Sequence, residues 1–149
     1  MEPSFLEDES SLAALISGFR SGTWPVTQFH HDAHLAVGCC SVLDYQDAVL
    51  DRLRDQIRAY NVSQGGENTD EKGYHETITR FWLERVAEFV KKQPVGLSRL
   101  ELARRAVGEF ATRPGLFRDY YTFDVLKSRE ARQAWVAPDA IAPDRTIPS

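Results

Sequence analysis

Apolar residues recur along this chain at intervals of three and four, the spacing that places them on one face of an α-helix. Leu12, Leu15, Ile16 and Phe19 form the first such stripe; Ser10 or Ser11 can cap that helix and Gly22 would end it. The segment Thr23-Trp24-Pro25-Val26-Thr27 reads as a turn. From about residue 29 to 43 the chain is small and apolar, with Leu35, Val42 and Leu43 on one side, as a buried helix would be. Asp44 can cap a third helix running to about Tyr60, with Val49, Leu50, Leu53 and Ile57 as its stripe and Asp51, Arg52, Arg54, Asp55 and Arg58 facing water. Gly65, Gly66 and Gly73 break the pattern over residues 61–73, which predicts a loop; a loop of that length in a small domain often serves as a lid or as one wall of a site.

Residues 74–92 carry the clearest helical pattern, through Ile78, Phe81, Trp82, Val86, Phe89 and Val90, with Lys91 and Lys92 suited to the negative end of the helix dipole. Pro94 and Gly96 close it. Ser98-Arg99-Leu100-Glu101 has capping-box spacing and opens another helix toward Phe110. After Pro114-Gly115 come Phe117, Tyr120, Tyr121 and Phe123, then a short helix from Ser128 through Trp135 and an irregular proline-rich tail from about residue 138, marked by Pro138, Pro143 and Pro148. No segment alternates apolar and polar long enough for a sheet. The expectation is an all-α chain, residues 1–149 forming one domain as a bundle of five to six helices.

Composition narrows the functional classes. With 42% hydrophobic residues the 149-residue chain can bury one sizeable core. Its net charge of −4 offers no basic stripe for a phosphate backbone, so nucleic acid is not an expected partner. No apolar run reaches the ~20 residues that span a bilayer, and the acidic N-terminus is unlike the basic start of a signal peptide, so a cytoplasmic protein with no membrane partner is expected. A homodimer stays open. Cys39 and Cys40 are adjacent, which makes neither a disulfide scaffold nor a CxxC motif and reads as two small core residues.

The four histidines lie in two short phrases, Phe29-His30-His31-Asp32-Ala33-His34-Leu35 and Tyr74-His75-Glu76-Thr77-Ile78-Thr79. On a helix His31 with His34, or His30 with His34, can aim imidazoles at one point. Counting back from Val42, the positions Gly38, Leu35, His34 and His31 fall on one side, so His31 and His34 are the favoured pair. His75, Thr79, Trp82 and Val86 share a stripe on the fourth helix and would bring a third imidazole. Three histidines with an open position are what a catalytic divalent ion requires, so His31, His34 and His75 are the candidate ligands for Zn, Fe, Ni or Mn.

Glu76 could serve as a further ligand, as an acceptor orienting a histidine or as a base, although it is turned about 100° from His75 on an ideal helix and could instead pair with Arg80. Asp32 could hold an imidazole N–H or simply face solvent. A single histidine on an apolar face is usually a hydrogen-bonded core residue, and HxxH alone is a weak pattern. The alternative is a metal-free set of histidines and hydroxyls drawn from Tyr74, Thr77, Thr79, Tyr120, Tyr121 and Thr122. Trp24, Trp82, Tyr120, Tyr121 and Trp135 could line an apolar pocket, and Arg129 and Arg132 could bind an anion, but core packing and surface ion pairing are the defaults for these. Nothing here forms a phosphate loop, a nucleophile elbow or HExxH.

Together with Ala131-Arg132-Gln133-Ala134-Trp135-Val136-Ala137-Pro138-Asp139, the two histidine phrases resemble a group of small bacterial proteins of unassigned function, over roughly residues 22–139. In that pattern the residue matching His30 varies and those matching His31, His34 and His75 do not, which implies a shared site without naming a reaction. The resulting expectation is a metal-dependent enzyme acting on a small organic substrate, by hydrolysis or elimination first and iron-dependent oxidation second, with Glu76, Tyr74 or Tyr121 in proton transfer. The competing class is a non-enzymatic module that senses a ligand or a metal.

Overall fold

The computed structural model describes residues 3–140, and among them the regular structure is helical throughout, with no strand. Helix α1 (Glu9–Ser21) starts two or three residues earlier than the serines indicate: Asp8, in extended backbone, accepts the Ser11 N–H at 2.7 Å. An ionised carboxylate at the positive end of the helix dipole outcompetes a serine hydroxyl for that place. The helix ends at Gly22, whose left-handed φ of 77° closes the turn.

Helix α2 (His31–Tyr45) runs past Asp44, which is therefore not the cap of the next helix. Its carboxylate is held instead by Arg20 of α1 and by Arg99. A 3₁₀ turn, Gln46–Ala48, then leads to α3 (Val49–Ser63). The far end of α3 is tied to the end of α1, because Ser63 Oγ and Gln64 Nε2 both donate to the Gly22 carbonyl.

The segment after α3 is pinned from within by Asn68. Its amide donates to the Arg58 carbonyl, and its oxygen accepts from the Asn61 amide and the Tyr74 N–H. Gly73, at φ 82°, passes so close to the Glu67 carbonyl that no Cβ could be accommodated. Helix α4 (Glu76–Lys91) follows, then α5 (Arg99–Phe110), which opens on the complete capping box of Ser98 and Glu101. A 3₁₀ turn at Leu116–Tyr120 precedes the five-residue helix α6 (Arg129–Gln133), capped by Ser128. Six α-helices are thus found among the described residues, in the all-α arrangement the periodicity predicts.

Helix α2 occupies the middle and packs on α1, α3, α4 and α5. Five of its buried positions, Ala33, Ala36, Cys39, Cys40 and Ser41, are small residues, so four neighbours can approach its backbone. The two cysteines are fully buried free thiols whose pKa burial pushes up, to about 12 and about 11, consistent with their reading as inert core residues. A second, smaller cluster joins Phe81 of α4 to Phe117, Tyr121, Val125 and Ala131. Of the tail, Pro138 is described and Pro143 and Pro148 lie outside the described residues. Among the described residues no helix is long and apolar enough to cross a membrane.

Candidate functional site

The first turn of α2 forms the polar edge of a cavity of about 470 Å³ walled by α1, α2, α3 and α4 and by the chain between α5 and α6. His31, His34, Leu35 and Gly38 all line it, the face that counting back from Val42 singles out. Opposite them stand Leu53, Ile57 and Tyr60 from α3 and Ile78, Thr79, Trp82 and Val86 from α4. Val26 and Leu126, which are 50% and 37% exposed, also border it and give the opening an apolar rim. Among the described residues that line it, none is an aspartate, glutamate, lysine or arginine. The size is that of a small-molecule site.

Each wall follows from local sequence. Val49, Leu50, Leu53 and Ile57 are the apolar stripe of α3, so its inner face is hydrocarbon down to Tyr60, whose hydroxyl is spent on the Trp24 carbonyl at 2.6 Å. On α4 the stripe through Ile78 and Trp82 carries Thr79 beside it. Gly38 is the least expected member: it sits inside a 15-residue helix, is buried, and a Cβ added there would meet nothing within 4 Å. A mid-helix glycine costs about 1 kcal/mol relative to alanine. Here alanine fits, and glycine leaves the helix backbone facing the cavity.

The two cavity histidines differ in environment. His31 Nε2 donates to the Phe110 carbonyl at 3.1 Å, and since that partner only accepts, the proton of the neutral ring is on Nε2 and Nδ1 keeps its lone pair. Burial holds its pKa below the usual histidine value, against the opposing pull of the Phe110 carbonyl and Asp32. His34 lies under the Phe29 ring, centroids 4.2 Å apart. It sits deep among protein atoms yet keeps accessible surface, because the wall it forms opens onto the cavity. Depth pulls its pKa down to about 4, with His31 acting in the same direction and the Phe29 carbonyl and Asp32 against it. Both rings are neutral at physiological pH.

His75 is elsewhere. It is not on the helical stripe but is the N-cap of α4, in extended backbone, with Nδ1 accepting the Ile78 N–H at 3.2 Å and Nε2 bonded to the Val125 carbonyl at 2.8 Å. Both nitrogens are thereby committed to backbone. A divalent ion needs several lone pairs converging on one point, and among the described residues no three His, Cys, Asp or Glu side chains form such a group. The arrangement therefore does not fit the three-histidine site expected from His31, His34 and His75, since one imidazole has been recruited as a helix cap.

The other expected residues also have structural partners. Glu76 takes Arg54 through both oxygens, at 2.9 and 2.8 Å, and the Tyr74 hydroxyl at 2.7 Å; its partner is Arg54 and not Arg80. Arg54 holds its pKa down. The Tyr74 hydroxyl is driven well above its normal range by burial and by Glu76. Tyr121 donates to the Val136 carbonyl at 2.7 Å, and burial pushes its pKa up to about 12. None of the three lines the cavity. Asp32 accepts the N–H of Ala33 in the first turn of α2.

Of the predicted loop over residues 61–73, Asn61 lies in α3 and lines the cavity, whereas no residue from 62 to 73 does. The rest of the loop holds α6 instead, through Asp70 with Gln133 and Glu71 with Arg129, while Arg132 donates to the Gly73 carbonyl. Of the aromatics expected to form a pocket, Trp82 does so; Trp24, Tyr120, Tyr121 and Trp135 do not. Phe19, Phe29 and Phe117 were not foreseen as walls. A broader surface depression near Arg20 and Arg99 has its two cations already bound to Asp44.

No protein-family model, no curated protein and no solved structure matches the chain. The functional reading therefore rests on the geometry of the cavity.

Proposed function

We propose that this protein binds a small organic molecule in the cavity between α2, α3 and α4 and transfers a proton on it, with His31 as the base and His34 as the neutral hydrogen-bonding partner. The observation that supports this is the pairing of two neutral imidazoles, one helical turn apart, on the edge of an otherwise apolar cavity. His31 has the free Nδ1 lone pair that proton abstraction requires, and its Nε2–H is anchored on Phe110, which fixes the tautomer. His34, too weak a base to charge at neutral pH, can offer or accept a hydrogen bond to the group on which negative charge develops, as a neutral imidazole does in some isomerases. The reaction class is abstraction of a proton from the bound molecule by Nδ1 and its return to another atom of the same molecule.

Carbonyl compounds incubated in heavy water test this directly. Deuterium incorporation that is lost in His31→Ala, and slowed while binding persists in His34→Ala, is the expected result; exchange that survives in His31→Ala refutes it. A second reading, a ligand-sensing module without turnover, is favoured by one observation: Glu76, Tyr74 and Tyr121 are all engaged away from the cavity, so none of the three reinforces the histidines. Tight binding with no exchange in any compound would select that reading.

A further inference from the structure

The lining of the cavity defines its ligand more narrowly than the histidines do. We infer that the ligand is an uncharged, largely apolar molecule carrying at least one flat ring and a single hydrogen-bonding group, which enters past Val26 and Leu126 and places that group at His31, His34 and Thr79. This deepens the proposed function and rests on the same cavity.

Three observations lead there. The first is charge: among the described lining residues there is no acidic or basic side chain, so a carboxylate or phosphate would surrender its hydration and meet no counter-ion. The second is the distribution of polarity. The hydroxyl of Tyr60 already donates to Trp24, and the amide nitrogen of Asn61 to Asn68, which leaves the two histidines and Thr79, whose hydroxyl also meets Tyr74, as the polar edge on α2 and α4. The third is shape and surface. Phe19, Phe29, Trp82 and Phe117 supply faces and edges for ring contacts, and Gly38, where a Cβ would meet nothing within 4 Å, leaves that part of the α2 wall without a side chain. The rim is likewise hydrocarbon, Val26 and Leu126 being two of the few large apolar side chains exposed on the described surface.

Naphthol and naphthoate, the same ring system with a neutral or a charged group, separate the terms. Titrated at neutral pH and followed by tryptophan fluorescence and by NMR contacts to the rings of Trp82 and His34, naphthol is expected to bind and naphthoate to bind about tenfold more weakly or not at all. Gly38→Leu, with its fold checked by circular dichroism, is expected to abolish naphthol binding. Thr79→Val, which keeps shape and removes one hydroxyl, is expected to weaken naphthol without affecting naphthalene. Equal or tighter binding of naphthoate, naphthol binding that persists in Gly38→Leu, or no binding of naphthol would each overturn the inference. These outcomes are independent of proton transfer: a cavity that prefers naphthol yet never promotes deuterium exchange defeats the proposed reaction alone, and exchange confined to charged substrates defeats the ligand class alone.

Discussion

The imidazole of His75 joins the start of α4 to the carbonyl of Val125, fifty positions further along the chain, while its other nitrogen closes the first turn of the helix on Ile78. A side chain that accepts at one nitrogen and donates at the other is serving as cap and cross-link at once. Burial holds the pKa of this ring below the usual histidine value, against the pull of the Val125 carbonyl and with Arg132 acting in the same direction as burial.

His75→Ala is therefore expected to cost about 1–3 kcal/mol, the sum of a lost cap and a carbonyl left without its buried donor. His75→Asn should recover the capping part, since asparagine is a favoured N-cap residue. Urea denaturation of the two variants measures this. Naphthol affinity is expected to be unchanged in both, whereas a ligand-binding role for His75 would show as lost affinity.

Glu76 supports a related prediction. It is held by a forked pair of bonds to Arg54 and a third from Tyr74, so Glu76→Gln breaks charge-assisted bonds in a half-buried setting and is expected to destabilise by about 1.5–3 kcal/mol. Its folded pKa is held below the ordinary glutamate value, so the contribution is complete above that ordinary value and disappears as pH falls through the lowered one. The loss of stability on acidification should be shallower in Glu76→Gln than in the parent below about pH 4.5, the unperturbed glutamate range. Thermal melts over that range test it.

The histidines predict a separate acid transition at higher pH. His31, His34 and His75 all have folded pKa values below that of an unfolded histidine, so the unfolded chain takes up protons first. Stability is complete above about pH 6.5 and declines as pH drops toward the folded values. His34, at about 4, extends the decline furthest. His34→Phe, which keeps an aromatic ring beneath Phe29, should flatten the melting temperature between about pH 6 and 4, the interval between unfolded and folded titration. An unchanged slope in that variant would contradict a neutral His34.

Much of the fold is legible in the residues because five of the six helices carry their own stripe or cap, as with Ser98 and Glu101 of α5 or Gly22 after α1. Boundaries shifted where a long-range ion pair outbid a local signal. Asp44 looks like a cap in sequence, and only the folded chain brings Arg20 and Arg99 to it. The inward face of α2 was readable for the same reason as the fold, since 31, 34, 35 and 38 differ by helical steps. The place of His75 was not, because a histidine preceding a helix looks the same whether it extends the stripe or turns back to cap it. The carbonyl that selects the second outcome comes from Val125, which no local pattern links to it. Gly38 did carry a signal, a lone glycine inside an otherwise helical run.

That glycine yields the sharpest stability test. Because a Cβ at position 38 would meet nothing within 4 Å, Gly38→Ala adds a methyl group without a clash and removes backbone freedom from the unfolded chain. It is expected to raise stability by about 0.5–1 kcal/mol, the opposite of most substitutions in the middle of a packed helix. The methyl group also occupies part of the cavity that Gly38 lines, so naphthol affinity should fall while stability rises. A protein that gains stability and loses ligand from one added carbon is one in which the glycine serves the cavity. If Gly38→Ala instead destabilises, the helix is packed tightly at this position and the cavity does not reach it.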